Sequence, residues 1–171
     1  MDGSDSSNMK NRILLITILL AFASIASAQE KFSTYSNERF FFSIDYPDAL
    51  KMQPPPDNDD GRTFLSDDGK VEVRVWGQYN AETKTLDERY LLDLKGFTEK
   101  PSYMVLKRDW YVLSGMKEGN IFYEKTLIRR RGDTDIFFTF TVTYPPAMKA
   151  KFDPIVKRMA DSFKFDPNGD A

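Results

Sequence analysis

The chain has 171 residues with a formal net charge of −2, and it contains neither cysteine nor histidine. Without these residue types it can form no Ser–His–Asp or Cys–His nucleophile system and none of the usual zinc sites. Acidic and basic residues nearly balance, so no overall field attracts the chain to nucleic acid. Hydrophobic residues make up 41% of the chain, which is ample for the core of one globular domain.

Residues 1–28 have the pattern of a secretory signal peptide. Basic residues precede the apolar run 13–23, and the small residues ASA at 26–28 form a cleavage site. The apolar run is shorter than the ~20 residues that a membrane span requires. We therefore expect cleavage before Gln29, with Met9 as an alternative start. We also expect export, to a bacterial periplasm or out of the cell, and no stable membrane insertion afterwards.

Residues 29–171 are predicted to form a single domain, with a short frayed tail at 167–171. The clearest strand is 136–144, IFFTFTVTY, in which apolar or aromatic residues alternate with threonine and phenylalanine. Short turns separate it from the strands before it, so the region 103–144 is predicted to be an antiparallel meander. The other predicted strands are 40–46, 62–66, 71–77, 103–108, 110–115 and 121–131.

Two amphipathic helices are predicted. Thr85 and Glu88 match a capping box at the start of the first helix, and Gly96 is placed to end it. The second helix carries apolar residues at helical spacing over 152–163, and Pro154 either starts it or lies inside it. Each helix is apolar on one side only. The sequence therefore predicts an α+β fold in which helices cover an antiparallel sheet.

Four short motifs resemble the PsbP-like family of α/β/α sandwiches in their order along the chain. The motifs are Phe42–Pro47 (FSIDYP), Ser114-Gly115, Tyr144-Pro145 and Ser162-Phe163. The resemblance spans roughly residues 32–165. It implies a three-layer sandwich with helices on both faces of a central antiparallel sheet, and it implies no catalytic residues and no cofactor.

Aromatic and arginine side chains are the candidate recognition residues, because tryptophan, tyrosine and arginine dominate interface hot spots. Trp76 alternates with valines and so lies off the most apolar face of its strand. The alternative for the aromatic residues is packing beneath a helix, and for the arginines it is protection of a strand end from edge pairing. An anionic partner would suit the arginines. The candidates are Trp76, Tyr79, Trp110, Tyr111, Arg129, Arg130 and Arg131.

Asp57, Asp59 and Asp60 follow a proline run and weakly resemble a calcium loop. An EF-hand would need its glycine one residue after Gly61 and a glutamate where Asp68 stands. The main interpretation is an ordinary solvated turn, so no metal ion and no other cofactor is predicted.

Three function classes agree with these features. The first is a non-enzymatic exported accessory or binding domain that acts, as a monomer, through a protein-recognition surface. The second is a small-molecule or lipid carrier with a pocket between sheet and helix, lined by Phe137, Phe138 and Phe140. The third, ranked below the others, is a carboxylate-dependent hydrolase. A flat apolar patch would favour the first, a cavity of several hundred Å3 the second, and two convergent buried carboxylates the third.

Overall fold

The computed structural model describes residues 30–165. The expected signal peptide, Met9, Gln29 and the predicted tail at 167–171 lie outside the described residues. The strands are β1 (Phe32–Asn37), β2 (Phe42–Pro47), β3 (Lys51–Met52), β4 (Gly61–Leu65), β5 (Glu72–Tyr79), β6 (Tyr103–Leu106), β7 (Trp110–Lys117), β8 (Asn120–Arg131), β9 (Thr134–Tyr144) and β10 (Lys164–Phe165). The helices are α1 (Leu86–Lys95), a 3-10 turn (Pro146–Met148) and α2 (Lys149–Ser162).

The strands form two antiparallel sheets. The larger has seven strands in the order β3-β4-β5-β9-β8-β7-β6, and the smaller has three in the order β1-β2-β10. The predicted meander is confirmed as β6 to β9, which are neighbours in the large sheet. All seven predicted strands are present, with ends within two residues of the prediction. The small sheet was not predicted, because β10 has only two residues and β1 is rich in serine and threonine.

Strand β9 is the centre of the large sheet, between β5 and β8. Successive side chains of a strand point to opposite faces. Ile136, Phe138, Phe140 and Val142 are fully buried in one hydrophobic core, whereas Phe137 belongs to a second core. Both faces of β9 are thus covered near its middle, and the pair Thr126–Thr139 is buried with its hydroxyls 2.9 Å apart.

The first core lies among β9, the small sheet and α2. Phe152, Ile155, Val156 and Met159 are the buried side chains of α2, and they join this core. The helix begins at Lys149, so Pro154 lies inside it rather than at its start.

The second core lies under α1, whose one fully buried side chain is Leu86. The predicted capping box is confirmed: Thr85 Oγ1 accepts from the Glu88 N–H at 3.2 Å, and Glu88 Oε2 accepts from the Thr85 N–H at 2.8 Å. The helix packs on β7 and covers Tyr111 and Leu113. Within residues 30–165, neither helix is both long enough and apolar enough to cross a membrane.

Candidate functional site

Two of the predicted recognition elements meet at one end of the sheets. We call this region the basic corner and define it as Arg39, Phe41, Tyr79, Arg130 and Arg131. The Arg131 guanidinium lies 4.2 Å from the centre of the Phe41 ring, and its Nη1 donates to the Arg39 carbonyl at 3.1 Å. Tyr79 is 48% exposed. The hairpin β8–β9 thus carries Arg131 to the aromatic turn between β1 and β2.

The turn that holds Phe41 has an unusual backbone. Phe41 has φ +56°, a conformation that bulky residues rarely adopt. The preceding residue, Phe40, is buried, and its ring lies 5.1 Å from that of Tyr79. The Phe40 N–H donates to Asn37 Oδ1 at 2.8 Å, which holds the turn from inside. Backbone strain of this kind persists only where the surroundings fix it, and it is commonest at functional sites.

The three arginines of the predicted cluster have different partners. Arg129 donates to Asp109 Oδ2 at 2.9 Å and is turned away from the basic corner. Arg130 remains 61% exposed, with Asp135 Oδ1 at 3.5 Å and the Gly132 carbonyl at 3.0 Å. Arg131 therefore makes the contacts of the basic corner, and Arg130, which as the preceding strand residue points to the opposite face, adds an exposed charge beside it.

The predicted aromatic pair in β7, Trp110 and Tyr111, is less exposed than Tyr79. Tyr111 is 0% exposed and its hydroxyl donates to Asp93, so this residue is part of the core beneath α1. Burial raises the pKa of Tyr111 well above its usual range. Trp110 is half-buried on the other face, with Lys125 Nζ 5.5 Å from its ring.

Trp76 lies between two depressions on the α1 side of the sheet. One, of about 360 Å3, is bounded by the proline run 54–56, and the other, of about 240 Å3, by Phe97 and Glu124. Arg74 and Trp76 line both. We call the two depressions together the Trp76 trough.

Glu124 is the most perturbed acid in the trough. Burial raises the pKa of Glu124 to about 7, the charge of Asp93 adds to this, and Arg89 and Lys117 oppose it. In the described part of the chain, Glu124 Oε1 is buried and has no hydrogen-bond partner.

The nearby Asp93 does not form a second reactive carboxylate in the trough. Its Oδ2 accepts from Arg89 Nε at 2.9 Å and from the Tyr111 hydroxyl, and it does not line either depression. Glu124 and Asp93 are therefore not a pair of carboxylates facing one cleft, which is the arrangement that a two-carboxylate hydrolase would need.

A third depression, the α2 groove, lies between α2 and strands β6 to β8 and has a volume of about 680 Å3. Tyr103 and Met116, which are 56% and 44% exposed, lie on its wall together with Ile121 and Tyr123. None of these residues was predicted as a site residue. They are brought together by strand pairing, which sets Tyr103 opposite Ser114 and Met116 opposite Ile121. The three phenylalanines expected to line a carrier pocket, Phe137, Phe138 and Phe140, are instead buried in the two cores and do not line this groove.

The aspartates of the weak calcium pattern point to separate partners. Asp59 Oδ1 lies 3.5 Å from Arg62 Nη2, and Asp60 Oδ2 accepts from Asn58 Nδ2 at 2.8 Å. Among the residues that the structure describes, no three His, Cys, Asp or Glu side chains are grouped so that they could hold a metal ion.

The residues that the structure describes form a mostly antiparallel α+β fold with two sheets and two helices. The particular fold is the PsbP-like fold, as the sequence resemblance implied. The chain is similar to the cyanobacterial PsbP, CyanoP, of Synechocystis sp. PCC 6803, with a TM-score of 0.60, 12% identity, and coverage of 82% of this chain and 96% of that one.

The chain is also similar to the Ran-binding protein Mog1p of Saccharomyces cerevisiae. The TM-score is 0.50 and the identity 11%, over 80% of this chain and 96% of that one. No protein-family model and no curated protein sequence matches the chain. At these identities the likeness establishes the fold and leaves function to the chain's own surfaces.

Proposed function

We propose that this chain is a non-enzymatic, exported binding domain that recognises an acidic segment of a protein partner through the basic corner. The observation that carries the proposal is the contact of Arg131 with the strained Phe41 turn, whose preceding residue, Phe40, packs on the exposed Tyr79. Arginine and tyrosine supply much of the binding energy of protein interfaces, and arginine suits carboxylates by its forked geometry.

The proposal takes the domain as a monomer with helices on both faces of the large sheet. In support, Leu86 of α1 shares a core with Phe137, whereas Phe152 of α2 shares the other core with Phe138. Export is supported by the signal pattern of residues 1–28. A protein partner is in keeping with one structural neighbour, Mog1p, which is named as a Ran-binding protein.

Photocrosslinking tests the basic corner in living cells. Tyr79→benzoylphenylalanine is expected to form a discrete adduct with the partner, because position 79 is exposed at the centre of the proposed surface. Met52→benzoylphenylalanine is the matched control, since Met52 is similarly exposed at 45% but lies on the edge strand β3, level with Val73 of β5 and not with Tyr79. The same adduct from both positions would mean that the corner has no special role.

The partner identified in this way then allows a quantitative test. The double variant Arg130→Ala/Arg131→Ala is expected to bind at least about tenfold more weakly, with an affinity that depends less on salt than that of the wild type. Arg158→Ala is the control, because its guanidinium lies 4.1 Å from the Phe32 ring in a similar geometry elsewhere on the surface. Equal affinities of the double variant and the control would overturn the proposal.

A second candidate function, the carrier, is favoured by one observation, the α2 groove of about 680 Å3. Its volume is within the range of small-molecule sites. Met116→Glu is expected to weaken binding of a fluorescent fatty acid at least about tenfold, because it places a charge on an apolar wall. Met52→Glu, at a similarly exposed methionine outside the groove, is expected to have no effect. No binding by the wild-type protein would end the carrier hypothesis.

A further inference from the structure

The part of the large sheet around Trp76 presents an open row of polar side chains. Side chains directly opposite each other in neighbouring strands point to the same face. Arg74 pairs with Thr63 on one side and Thr141 on the other, and Trp76 pairs with Gly61 and Thr139. On this face of the sheet α1 packs on β7 and reaches β9 at Phe137, and Thr139 is buried. The open part of the row is therefore Arg74, Trp76 and Thr141.

The Trp76 side chain lies between the two depressions and lines both of them. It is half-buried, and its Nε1 donates to Gln78 Oε1 at 3.4 Å. Gly61 allows β4 to lie directly against it, because a Cβ at Gly61 would come within 2.8 Å of Trp76 Cβ and 2.0 Å of the Val75 carbonyl oxygen. The trough therefore extends on both sides of one indole ring.

The walls at the two ends of the trough are apolar and firmly supported. Pro54, Pro55 and Pro56 bound the larger depression. Phe97 bounds the smaller one and is stacked on Phe122 with ring centres 4.6 Å apart. A ligand that occupies both depressions would thus be long, would cross Trp76, and would meet apolar surface at each end.

The charges along the trough balance locally. Arg74 Nε and Nη2 donate to the two oxygens of Glu72 at 2.8 and 3.0 Å, so these two charges neutralise each other. The larger depression adds Arg62 and Asp60, and the smaller one adds Lys117 and Glu124. Because burial raises the pKa of Glu124 to about 7, the trough carries at most the one uncompensated positive charge of Lys117. This small excess gives little net attraction for an anion or a cation, while the charged groups and the threonine hydroxyls remain available as hydrogen-bonding groups.

A long ligand without net charge that presents both apolar faces and many hydroxyl groups is an oligosaccharide. An extended peptide suits this surface less well, because a peptide usually adds to a free sheet edge. Strands β5 and β9 have paired neighbours on both sides. Strand β4 is covered by β3 at Phe64 and Leu65 and by the Gln53 N–H, which donates to the Thr63 carbonyl at 2.8 Å, so only the short stretch 61–62 lies outside this cover. We propose that the Trp76 trough binds a neutral oligosaccharide strand, with one sugar ring stacked on Trp76 and its hydroxyls bonded by Arg74, Glu72 and Thr141.

The fluorescence of Trp76 can report binding at the trough. Trp76 and Trp110 are its two tryptophans, and they lie on opposite faces of the sheet. In a Trp110→Phe protein, all tryptophan emission comes from Trp76. Titration with chitotriose, cellotriose and maltotriose is expected to give a saturable change of this emission with at least one of the three sugars.

Isothermal titration calorimetry of variants with the sugar that binds then shows which residues contact it. Trp76→Ala and, as a milder variant at an exposed residue, Arg74→Ala are expected to lower the affinity at least about tenfold. Trp110→Phe, on the other face, is expected to bind as the wild type does. Because Arg74 is 58% exposed, its variant retains the fold and keeps the test valid if Trp76→Ala melts early.

Three outcomes would overturn the proposal. The first is that none of the three sugars gives a saturable change. The second is that Trp110→Phe weakens binding as much as Arg74→Ala does. The third is that a proline-rich decapeptide or the diamine cadaverine quenches Trp76 while the sugars do not. The first result would leave the proposal for the basic corner intact, because that test uses different residues and a different partner.

Discussion

Phe140→Ala is expected to lower the free energy of unfolding by about 3–5 kcal/mol, the range for truncation of a buried aromatic side chain. Phe140 is 0% exposed and lies in the central strand, paired with Val75 and Lys125. Its ring meets that of Phe163 edge to face at 5.1 Å and lies 5.6 Å from that of Tyr123. Truncation would leave a cavity where β9 meets β8 and the end of α2, and rigid neighbours on both sides limit its collapse.

Thr141→Ala is the matched control, one residue along the same strand and on the opposite face. Thr141 is half-buried and lines the open Trp76 trough, so its truncation is expected to cost less than about 1 kcal/mol. Urea titrations of the two variants, compared at equal m-values, measure the difference. Equal losses would contradict the structure, because they would require the trough side of β9 to be packed as tightly as the core side.

Features set by local sequence were predicted well. The alternation in β9 fixes which residues enter the first core, and the capping box of α1 needs only Thr85 and Glu88. The small sheet combines the local hairpin β1–β2 with the distant pairing of β10 on β2. Its strand β10 pairs Lys164 with Ser43, and Ser162 Oγ accepts from the Asp45 N–H at 2.9 Å. Such contacts join segments more than a hundred residues apart, and no local pattern indicates them.

The residue types of the candidate site could be chosen from the sequence, but which of these residues are exposed could be predicted only in part. The alternation in β5 predicted that Trp76 lies off the most apolar face, and the structure has it half-buried on the face opposite Val73 and Val75. Tyr79 is on the same face as these valines and is exposed at the end of the strand. For Trp110 and Tyr111 the alternation shows only that they face opposite ways. Which one is buried depends on the register with β8 and on where α1 packs, and the structure puts Tyr111 inside. The sequence did not indicate that Glu124 is buried, because a glutamate at this place in an alternating strand is equally typical of an exposed position.

The stability of the domain is expected to fall by ~3 kcal/mol as the pH rises from about 4.5 to above 7, and Glu124 is the cause. Burial raises the pKa of Glu124 from 4.5 to about 7 in the folded chain. The folded state therefore holds this proton more tightly than the unfolded state does. The stabilisation is fully present below the unfolded pKa, is lost progressively as the pH rises through the folded pKa, and stays lost above it.

The groups around Glu124 support this direction of the shift. Arg89 and Asp93 face it from α1 and bond to each other at 2.9 Å, so the arginine is largely engaged. Lys117 and Tyr111 face it from β7, and Lys117 Nζ lies 5.6 Å from the Phe97 ring. None of these groups forms a hydrogen bond with Glu124 Oε1. An ionised Glu124 would thus be a poorly compensated buried charge, which the fold avoids by keeping the proton.

Between about pH 4.5 and pH 7, the titration of Glu124 is expected to dominate the change in stability. The chain has no histidine, and the acids whose pKa values are lowered, Asp68 and Glu88, titrate at more acidic pH. Urea melts of wild type, Glu124→Gln and Glu72→Gln at steps across this range provide the test. Glu124→Gln is expected to lose the slope, because an amide does not ionise. Glu72→Gln changes a more exposed acid on the same face and is expected to retain the slope. A slope that persists in Glu124→Gln would show that another group controls the pH dependence.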